Sequence, residues 1–180
     1  MIHNETVDFI LSRQTIREYK EEQISEEQLE TLMAAALRAP SGRNGQPCHV
    51  RFLQNPEMLH GMHIDFKNLV GWDTPAYTRF EKNPFYHNAP TFALIFAEGN
   101  SHMDGGIMCE NICIAAESMG LATCIVASVG TLMNSPEGEK WKEKLDIPKE
   151  YVYLIGICIG IPDEKPEMKP RFEDRIKVIR

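Results

Sequence analysis

Apolar side chains recur at helical spacing at the start of the chain and predict a first helix there. Val7, Ile10 and Leu11 fall on one helical face. Asn4 precedes them and is a residue type that caps helices by accepting a hydrogen bond from a free backbone amide. We therefore expect a short helix that ends near Arg13.

A second helix is predicted from the apolar positions between 29 and 37. Ser25 and Gln28 have the spacing of a capping box, and Ile24 and Leu29 have that of a hydrophobic staple. Pro40 disfavours helical backbone at the residue before it. The helix is therefore expected to start after Ser25 and to end before Pro40.

Continuous apolar runs further along the chain predict strands. The runs 91–97, 124–129 and 152–161 are typical of buried strands, and 49–53 and 176–179 predict two short ones.

Helical segments lie between these strands. Asp104 is expected to cap a largely buried helix that ends at Met119, with Gly120 as its C-terminal stop. Ser135 and Pro136 predict the start of a short helix. The stretch 57–88 has no clean period and is interpreted as helix pieces with a long aromatic loop. The order of elements favours one α+β domain over residues 1–180, with helices packed on a central sheet.

Composition and charge narrow the possible partners. The net charge is −7, which disfavours nucleic acid, and no apolar run is long enough to span a membrane. The N-terminus lacks the pattern of a signal peptide, so we expect a cytoplasmic protein. Residues 165–180 nevertheless carry six basic and three acidic side chains. This excess is either a solvated tail or a site for a small anion.

Several kinds of chemistry find little support. The five cysteines include no Cys-x-x-Cys pair, and their odd number argues against a disulfide framework and for a reducing compartment. Cys124 and Cys158 lie in apolar runs and are interpreted as core residues. His60 and His63 lack further ligands for a metal site and are interpreted as surface histidines. No glycine-rich phosphate-binding motif of the standard kinds is present.

A cysteine hydrolase is also disfavoured. Cys48 and His49 are adjacent on a predicted strand, where successive side chains point to opposite faces. A nucleophile and its base have to meet in space.

Two clusters of cations are the strongest remaining signal. Arg13 and Arg17 flank the hydroxyl of Thr15, and Lys169 and Arg171 lie at the other end of the chain. Arginine side chains match phosphate oxygens with paired hydrogen bonds. The alternative is surface ion pairing with the acidic side chains at 18, 21 and 22. Only together do the two clusters favour an anion site.

Four segments resemble the FMN-dependent nitroreductase family, in the same order and across nearly the whole chain. They are 12–19, the segment Ala-Pro-Ser-Gly-Arg-Asn-Gly-Gln-Pro-Cys at 39–48, 115–121 with its Gly-Leu end, and Lys-Pro-Arg at 169–171. The Pro-Ser-x-x-Asn-x-Gln-Pro element within 39–48 is fairly specific. Two departures are Gln14-Thr15 in place of Arg-Ser and Cys48 in place of tryptophan. The chain also lacks the helical excursion of larger members.

The resemblance implies a mixed, mainly antiparallel sheet flanked by helices and an intertwined homodimer with FMN in two interface sites. Carried over by position, Arg13, Lys169 and Arg171 would hold the ribityl phosphate, with Gln14 and Thr15 at the same end. Arg17 would lie near N1 and O2 of the flavin ring. The remaining positions would contact the flavin from the other subunit (Pro40, Ser41, Gly42 and Asn44) or along the isoalloxazine (Ala127, Ser128 and Val129).

The resemblance also implies an activity. Such a protein takes a hydride from NADH or NADPH and reduces a flat organic acceptor, such as a nitroaromatic or a quinone, in a ping-pong reaction that needs no general acid from the protein. The alternatives are a non-enzymatic FMN binder or sensor, and a flavin-destroying or reductive dehalogenating relative on the same scaffold. The aromatic segment 72–86 is either a lid over the pocket or part of the core.

Overall fold

A computed structural model describes residues 1–73, 84–99 and 101–180. The helices in this part of the chain are α1 (Glu5–Ser12), α2 (Glu26–Leu37), α3 (Pro56–Val70), α4 (His102–Ser118), α5 (Gly130–Met133) and α6 (Glu139–Lys144). The strands are β1 (Cys48–Leu53), β2 (Thr91–Ala97), β3 (Ala122–Val126) and β4 (Val152–Gly160). Short 3₁₀ turns occur at Gly42–Asn44, Pro136–Gly138 and Glu173–Arg175.

The predicted helix starts near the N-terminus are confirmed. The side chain of Asn4 accepts a hydrogen bond from the amide of Val7. Ser25 and Gln28 form the reciprocal capping box at the start of α2. Both caps satisfy amides that an isolated helix would leave without a partner.

The sheet is antiparallel, with the strand order β1-β2-β4-β3. A parallel bridge between Thr15 and Thr123 adds the N-terminal segment beside β3. The predicted α+β class, with helices flanking a central sheet, is therefore confirmed. The two outer positions in the order belong to β1 and β3, so the long strands β2 and β4 lie in the middle of the sheet.

Each face of the sheet has its own hydrophobic core. On β2, Phe92, Leu94 and Phe96 point to the face that α3, α5 and α6 cover. The alternate residues Ala93 and Ile95 point to the other face, which packs against α2 and α4. This period of two along a strand that is buried on both faces explains why the sequence shows a continuous apolar run.

Several predicted boundaries are wrong. Helix α4 begins at His102 after Ser101, so Asp104 lies inside its first turn and does not cap it. Strand β3 covers Ala122–Val126, and residues 127–129 form the turn that follows. The predicted strand at 176–179 is absent from this part of the structure, which has the turn Glu173–Arg175 followed by exposed chain. A short apolar segment forms a strand only where it has a neighbour to pair with.

The first half of the aromatic stretch 57–88 forms most of the helix α3, which spans Pro56–Val70. His60 is exposed, but His63 is 7% exposed and packs near Phe85 and Tyr86, so its interpretation as a surface residue is wrong. Burial, with Lys67 and His60 nearby, lowers the pKa of His63 to about 4. Most of the proposed lid falls on residues 74–83, outside the described residues.

The N-terminal segment 15–20 is hydrogen-bonded to two later parts of the chain. Its amide at Ile16 donates to the carbonyl of Thr123, and its amide at Lys20 donates to the carbonyl of Ile161. A bridge between Tyr19 and Pro162 adds to the second connection. The segment therefore lies between β3 and the chain that leaves β4. Within the described part, no helix has the length and apolarity to cross a membrane.

Candidate functional site

The structure brings the two predicted clusters of cations to one cavity of about 310 Å³. Residues from both ends of the chain line it: Arg13, Gln14, Thr15, Arg17, Glu164, Pro166, Glu167, Lys169 and Arg171. Six of these were candidate site residues from the sequence. The N-terminal and C-terminal segments meet because residues 15–20 pair with both β3 and the chain after β4.

The N-terminal wall of the cavity is held by hydrogen bonds to the sheet. The guanidinium of Arg13 lies 3.5 Å from the hydroxyl of Thr123 and 3.4 Å from the carbonyl of Gln14. The Gln14 side-chain amide donates to the carbonyl of Pro166 at 3.3 Å. The backbone next to the cations is therefore fixed from two directions.

A carboxylate that the sequence analysis did not single out completes the opposite wall. Glu164 accepts a hydrogen bond from the backbone amide of Arg17 and links the segment after β4 to the N-terminal segment. Glu164 and Glu167 also reduce the positive charge of the cavity. Glu164 lies one residue before the basic stretch 165–180, so the charge balance of that stretch did not include it.

The cations of the cavity keep their charge available for a ligand. Among the described residues, Arg13, Arg17, Lys169 and Arg171 form no ion pair with a carboxylate; the ion pairs found there involve other side chains. The alternative of surface pairing with the acidic residues at 18, 21 and 22 therefore has no support in this geometry. Four cations and two carboxylates leave the cavity with an excess of positive charge, which suits a small anion.

The second group of candidate residues lies in a separate place. Pro40 and Ser41 line a small apolar pocket between α2 and α4, outside the cationic cavity. Gly42 and Asn44 belong to the 3₁₀ turn that follows. The chain does not bring this loop, which comprises residues 40–46, into the lining of its own cationic cavity.

The loop 40–46 has an unusual backbone. Arg43, Asn44 and Gln46 have φ values of 54°, 56° and 48°, in the left-handed region that L residues other than asparagine and aspartate rarely adopt. The two glycines of the loop, Gly42 and Gly45, lie outside that region, so the strain falls on residues that have side chains. Strained backbone of this kind persists only where the surrounding contacts hold it.

Asp104 supplies one of those contacts. Its carboxylate accepts a hydrogen bond of 2.9 Å from the amide of Gly42 and so fastens the loop 40–46 to the first turn of α4. Inside the loop, the hydroxyl of Ser41 accepts from the amide of Gln46 at 2.9 Å. Burial, assisted by the charge of Asp104, raises the pKa of the Cys48 thiol, so this residue is a poor candidate for a nucleophile.

The third group, Ala127, Ser128 and Val129, forms the turn between β3 and α5. Their carbonyls accept hydrogen bonds from amides of α5. Val129 is fully buried, and none of the three lines the cationic cavity.

Comparison with known proteins places this arrangement in a family. The chain is 29% identical over 180 residues to the NADPH-flavin oxidoreductase of Vibrio harveyi, covering 97% of this chain and 73% of that protein. It is 27% identical over 193 residues to the FMN reductase [NAD(P)H] of Bacillus subtilis, covering 93% and 70%. A crystal structure of a nitroreductase with bound FMN from Desulfitobacterium hafniense superposes with a TM-score of 0.90 at 25% identity, covering 99% of this chain and all of that one. The sequence profile of the nitroreductase family matches residues 10–161, and the chain belongs to that family.

Proposed function

We propose that this protein is an FMN-dependent oxidoreductase that takes a hydride from NADH or NADPH and reduces a flat organic acceptor, such as a nitroaromatic or a quinone. The observation that carries the proposal is the cationic cavity, which gathers Arg13, Arg17, Lys169 and Arg171 without ion pairs among the described residues. The names of the relatives support the cofactor and the hydride donor.

The residues of the cavity fit a flavin mononucleotide. Its phosphate is close to a dianion, and Arg13, Lys169 and Arg171 supply cations that can bind it. Gln14 and Thr15 would line the same end. Arg17 would hold its charge near the pyrimidine side of the ring, where negative charge develops on reduction.

Bound FMN would supply the hydride chemistry, while the chain positions it and tunes its charge. In this proposal no side chain acts as a general acid. The hydride donor leaves before the acceptor enters the same pocket, which corresponds to a ping-pong reaction.

We also propose that the protein works as an intertwined homodimer. The strand β3 is at the edge of the sheet, and its Ile125 is 41% exposed. The C-terminal arm, which comprises residues 172–180, exposes four apolar side chains to solvent. These are Phe172, Ile176, Val178 and Ile179. An exposed apolar segment and an outer strand whose free edge carries one isolated bridge, at Thr123, favour pairing with a second copy.

The dimer would also place the other candidate residues. Pro40, Ser41, Gly42 and Asn44, which are outside the cavity of their own chain, would contact the flavin held by the partner. Ala127, Ser128 and Val129 would lie along the isoalloxazine, since they follow the strand that Thr15 bridges.

The first test is the visible absorption spectrum of the purified protein, with the released cofactor identified after denaturation. We expect a flavin spectrum and release of FMN. The FMN-loaded protein should then oxidise NADH or NADPH and, without oxygen, pass the electrons to a nitroaromatic or quinone. Colourless protein that takes up no added FMN would contradict the cofactor. Tight FMN binding without reoxidation by any organic acceptor would instead indicate a non-enzymatic binder.

A further inference from the structure

Two thiols face each other directly across the strands β3 and β4. Cys124 and Cys158 are partners in the antiparallel register, so their side chains project from the same face of the sheet. Directly opposite residues have Cα atoms about 4.5 or 5.5 Å apart. Both values fall within the range of roughly 4.4–6.8 Å that a disulfide requires. A disulfide also needs Cβ atoms roughly 3.5–4.5 Å apart, and directly opposite residues have theirs about 4.5–5.5 Å apart. The pair can therefore be joined by a small approach of β3 to β4.

The surroundings of this pair favour a thiolate. The hydrogen bond from the Cys158 thiol is the main reason that the pKa of Cys124 falls below its usual value, with further contributions from His87 and Arg17. Burial and the same hydrogen bond raise the pKa of Cys158. One sulfur is thus prepared to attack, and the other still carries its proton.

The position of the pair connects it with the cationic cavity. Arg17 lines that cavity and also acts electrostatically on both thiols. Cys124 and Cys158 are 3% and 0% exposed, so only a small neutral oxidant can reach them.

A second pair of thiols provides an internal comparison. Cys109 and Cys113 are also buried and interact with each other, and the pKa of Cys113 is lowered as well. They are four residues apart on α4, where Cβ atoms are about 5–6 Å apart. A disulfide needs a Cβ separation of roughly 3.5–4.5 Å, so this pair starts farther from bonding geometry than the cross-strand pair. Both pairs contain a thiol with a lowered pKa, and the cross-strand pair needs the smaller movement.

We propose that Cys124 and Cys158 are a redox-active dithiol, which hydrogen peroxide oxidises to a disulfide that joins β3 to β4. The Cys124 thiolate attacks one peroxide oxygen, the O–O bond breaks, and hydroxide leaves and is protonated to water. The sulfenic acid formed at Cys124 is then attacked by the sulfur of Cys158, which loses its proton, and a second water leaves. Two thiols and one peroxide give one disulfide and two waters. This inference does not depend on the proposed function.

Peptide mapping by mass spectrometry tests the inference on the folded, full-length protein. A Cys48→Ser background removes the half-buried thiol, which could otherwise react first. After exposure to hydrogen peroxide, free thiols are alkylated during denaturation, and the protein is digested without reductant. We expect the Cys124 peptide linked to the Cys158 peptide, with release by dithiothreitol, while Cys109 and Cys113 are recovered alkylated.

The pH dependence adds a second readout that needs no variant. Below its pKa, an ordinary thiol reacts about tenfold faster for each unit by which the pH rises, because more thiolate is present. Cross-linking should instead depend less steeply on pH between 6 and 8, since the pKa of Cys124 is lowered. Three variants give a separate check on which thiols react. Cys124→Ser and Cys158→Ser should each abolish the linkage, and Cys113→Ser should leave it intact.

Three results would overturn the inference. One is recovery of Cys124 and Cys158 as alkylated thiols at peroxide concentrations that oxidise Cys48 in the parent protein. The second is separate oxidation of the two cysteines to sulfinic acids without a cross-link. The third is a linkage that forms only after the protein has been unfolded.

Discussion

At the scale of single residues, the sequence predicted positions whose role is set by local chemistry. Asn4 and Ser25 were identified as caps because capping depends on a side chain and the next few amides. The clusters of Arg13 and Arg171 favoured an anion site only when taken together, and the structure brings them to one cavity. Glu164 was missed because its hydrogen bond to the amide of Arg17 joins residues 147 positions apart, which no local pattern reveals.

Arg171→Gln should weaken binding of FMN by about ten- to a hundredfold, because a hydrogen bond to a charged group contributes about 1.5–3 kcal/mol. Titration of the apoprotein with FMN, followed by flavin fluorescence, measures the change. Arg175→Gln is the matched control: it removes the same charge four residues away, outside the cavity, where the guanidinium lies 3.7 Å from Asp174. Equal affinities in the two variants would contradict the phosphate site.

His63 should make the protein less stable in acid. Its pKa is lowered from 6.5 to about 4 in the folded state, so the unfolded chain binds the proton more tightly between these values. The free energy of unfolding should therefore be highest above pH 6.5 and fall by about 3 kcal/mol as the pH drops to 4. Urea unfolding at several pH values measures this slope.

His63→Gln should strongly reduce that slope. His60→Gln, which removes only the smallest of the contributions that lower the pKa of His63, should reduce it slightly. A slope that is the same in all three proteins would show that another group causes the loss of stability in acid.

At the scale of elements, strands in the middle of the sheet were predicted better than those that depend on a neighbour. The run 91–97 matches β2, because a strand buried on both faces is apolar throughout. The segment 176–179 has the same kind of residues but no neighbouring strand among the described residues. The start of α4 was misplaced because the sequence predicted Asp104 as its cap, whereas the Asp104 carboxylate holds the loop 40–46.

Asp104→Ala should loosen the loop 40–46 without unfolding α4. The change removes the acceptor for the amide of Gly42, and this amide should then exchange its hydrogen with solvent faster, by about tenfold for a contribution near 1.4 kcal/mol. Hydrogen exchange followed by NMR measures the effect. Asp104→Asn keeps an acceptor oxygen and should restore much of the protection; equal protection of Gly42 in all three proteins would contradict the role of Asp104.

At the scale of the whole molecule, the sequence indicated the fold class and the family, while the proposed assembly depends on surfaces that only the structure displays. Composition cannot show that the apolar side chains of the C-terminal arm are exposed or that β3 is an edge strand. The outer position of β3 follows from the strand order, which is set by pairings between distant parts of the chain. The exposure of the arm is a property of the folded chain, in which residues 172–180 lie outside the sheet.

Removal of residues 172–180 should convert the protein from a dimer to a monomer. Sedimentation velocity at several protein concentrations measures the change. The truncation keeps Lys169 and Arg171, so loss of the phosphate cations does not complicate the result. A matched full-length variant with Phe172→Ser and Ile176→Ser should weaken the dimer through loss of apolar contact alone. A truncated chain that remains dimeric at the same concentrations would contradict the role of the arm.

The pairing of residues 15–20 with both β3 and the chain after β4 has a consequence for biosynthesis. The N-terminal segment leaves the ribosome first, but its partners at Thr123 and Ile161 are made more than a hundred residues later. Until Arg171 has also emerged, a nascent chain lacks one wall of the cationic cavity. In the proposed site, FMN can therefore be loaded only after Arg171 has been translated, and ribosome-bound fragments that end before Lys169 should bind no flavin.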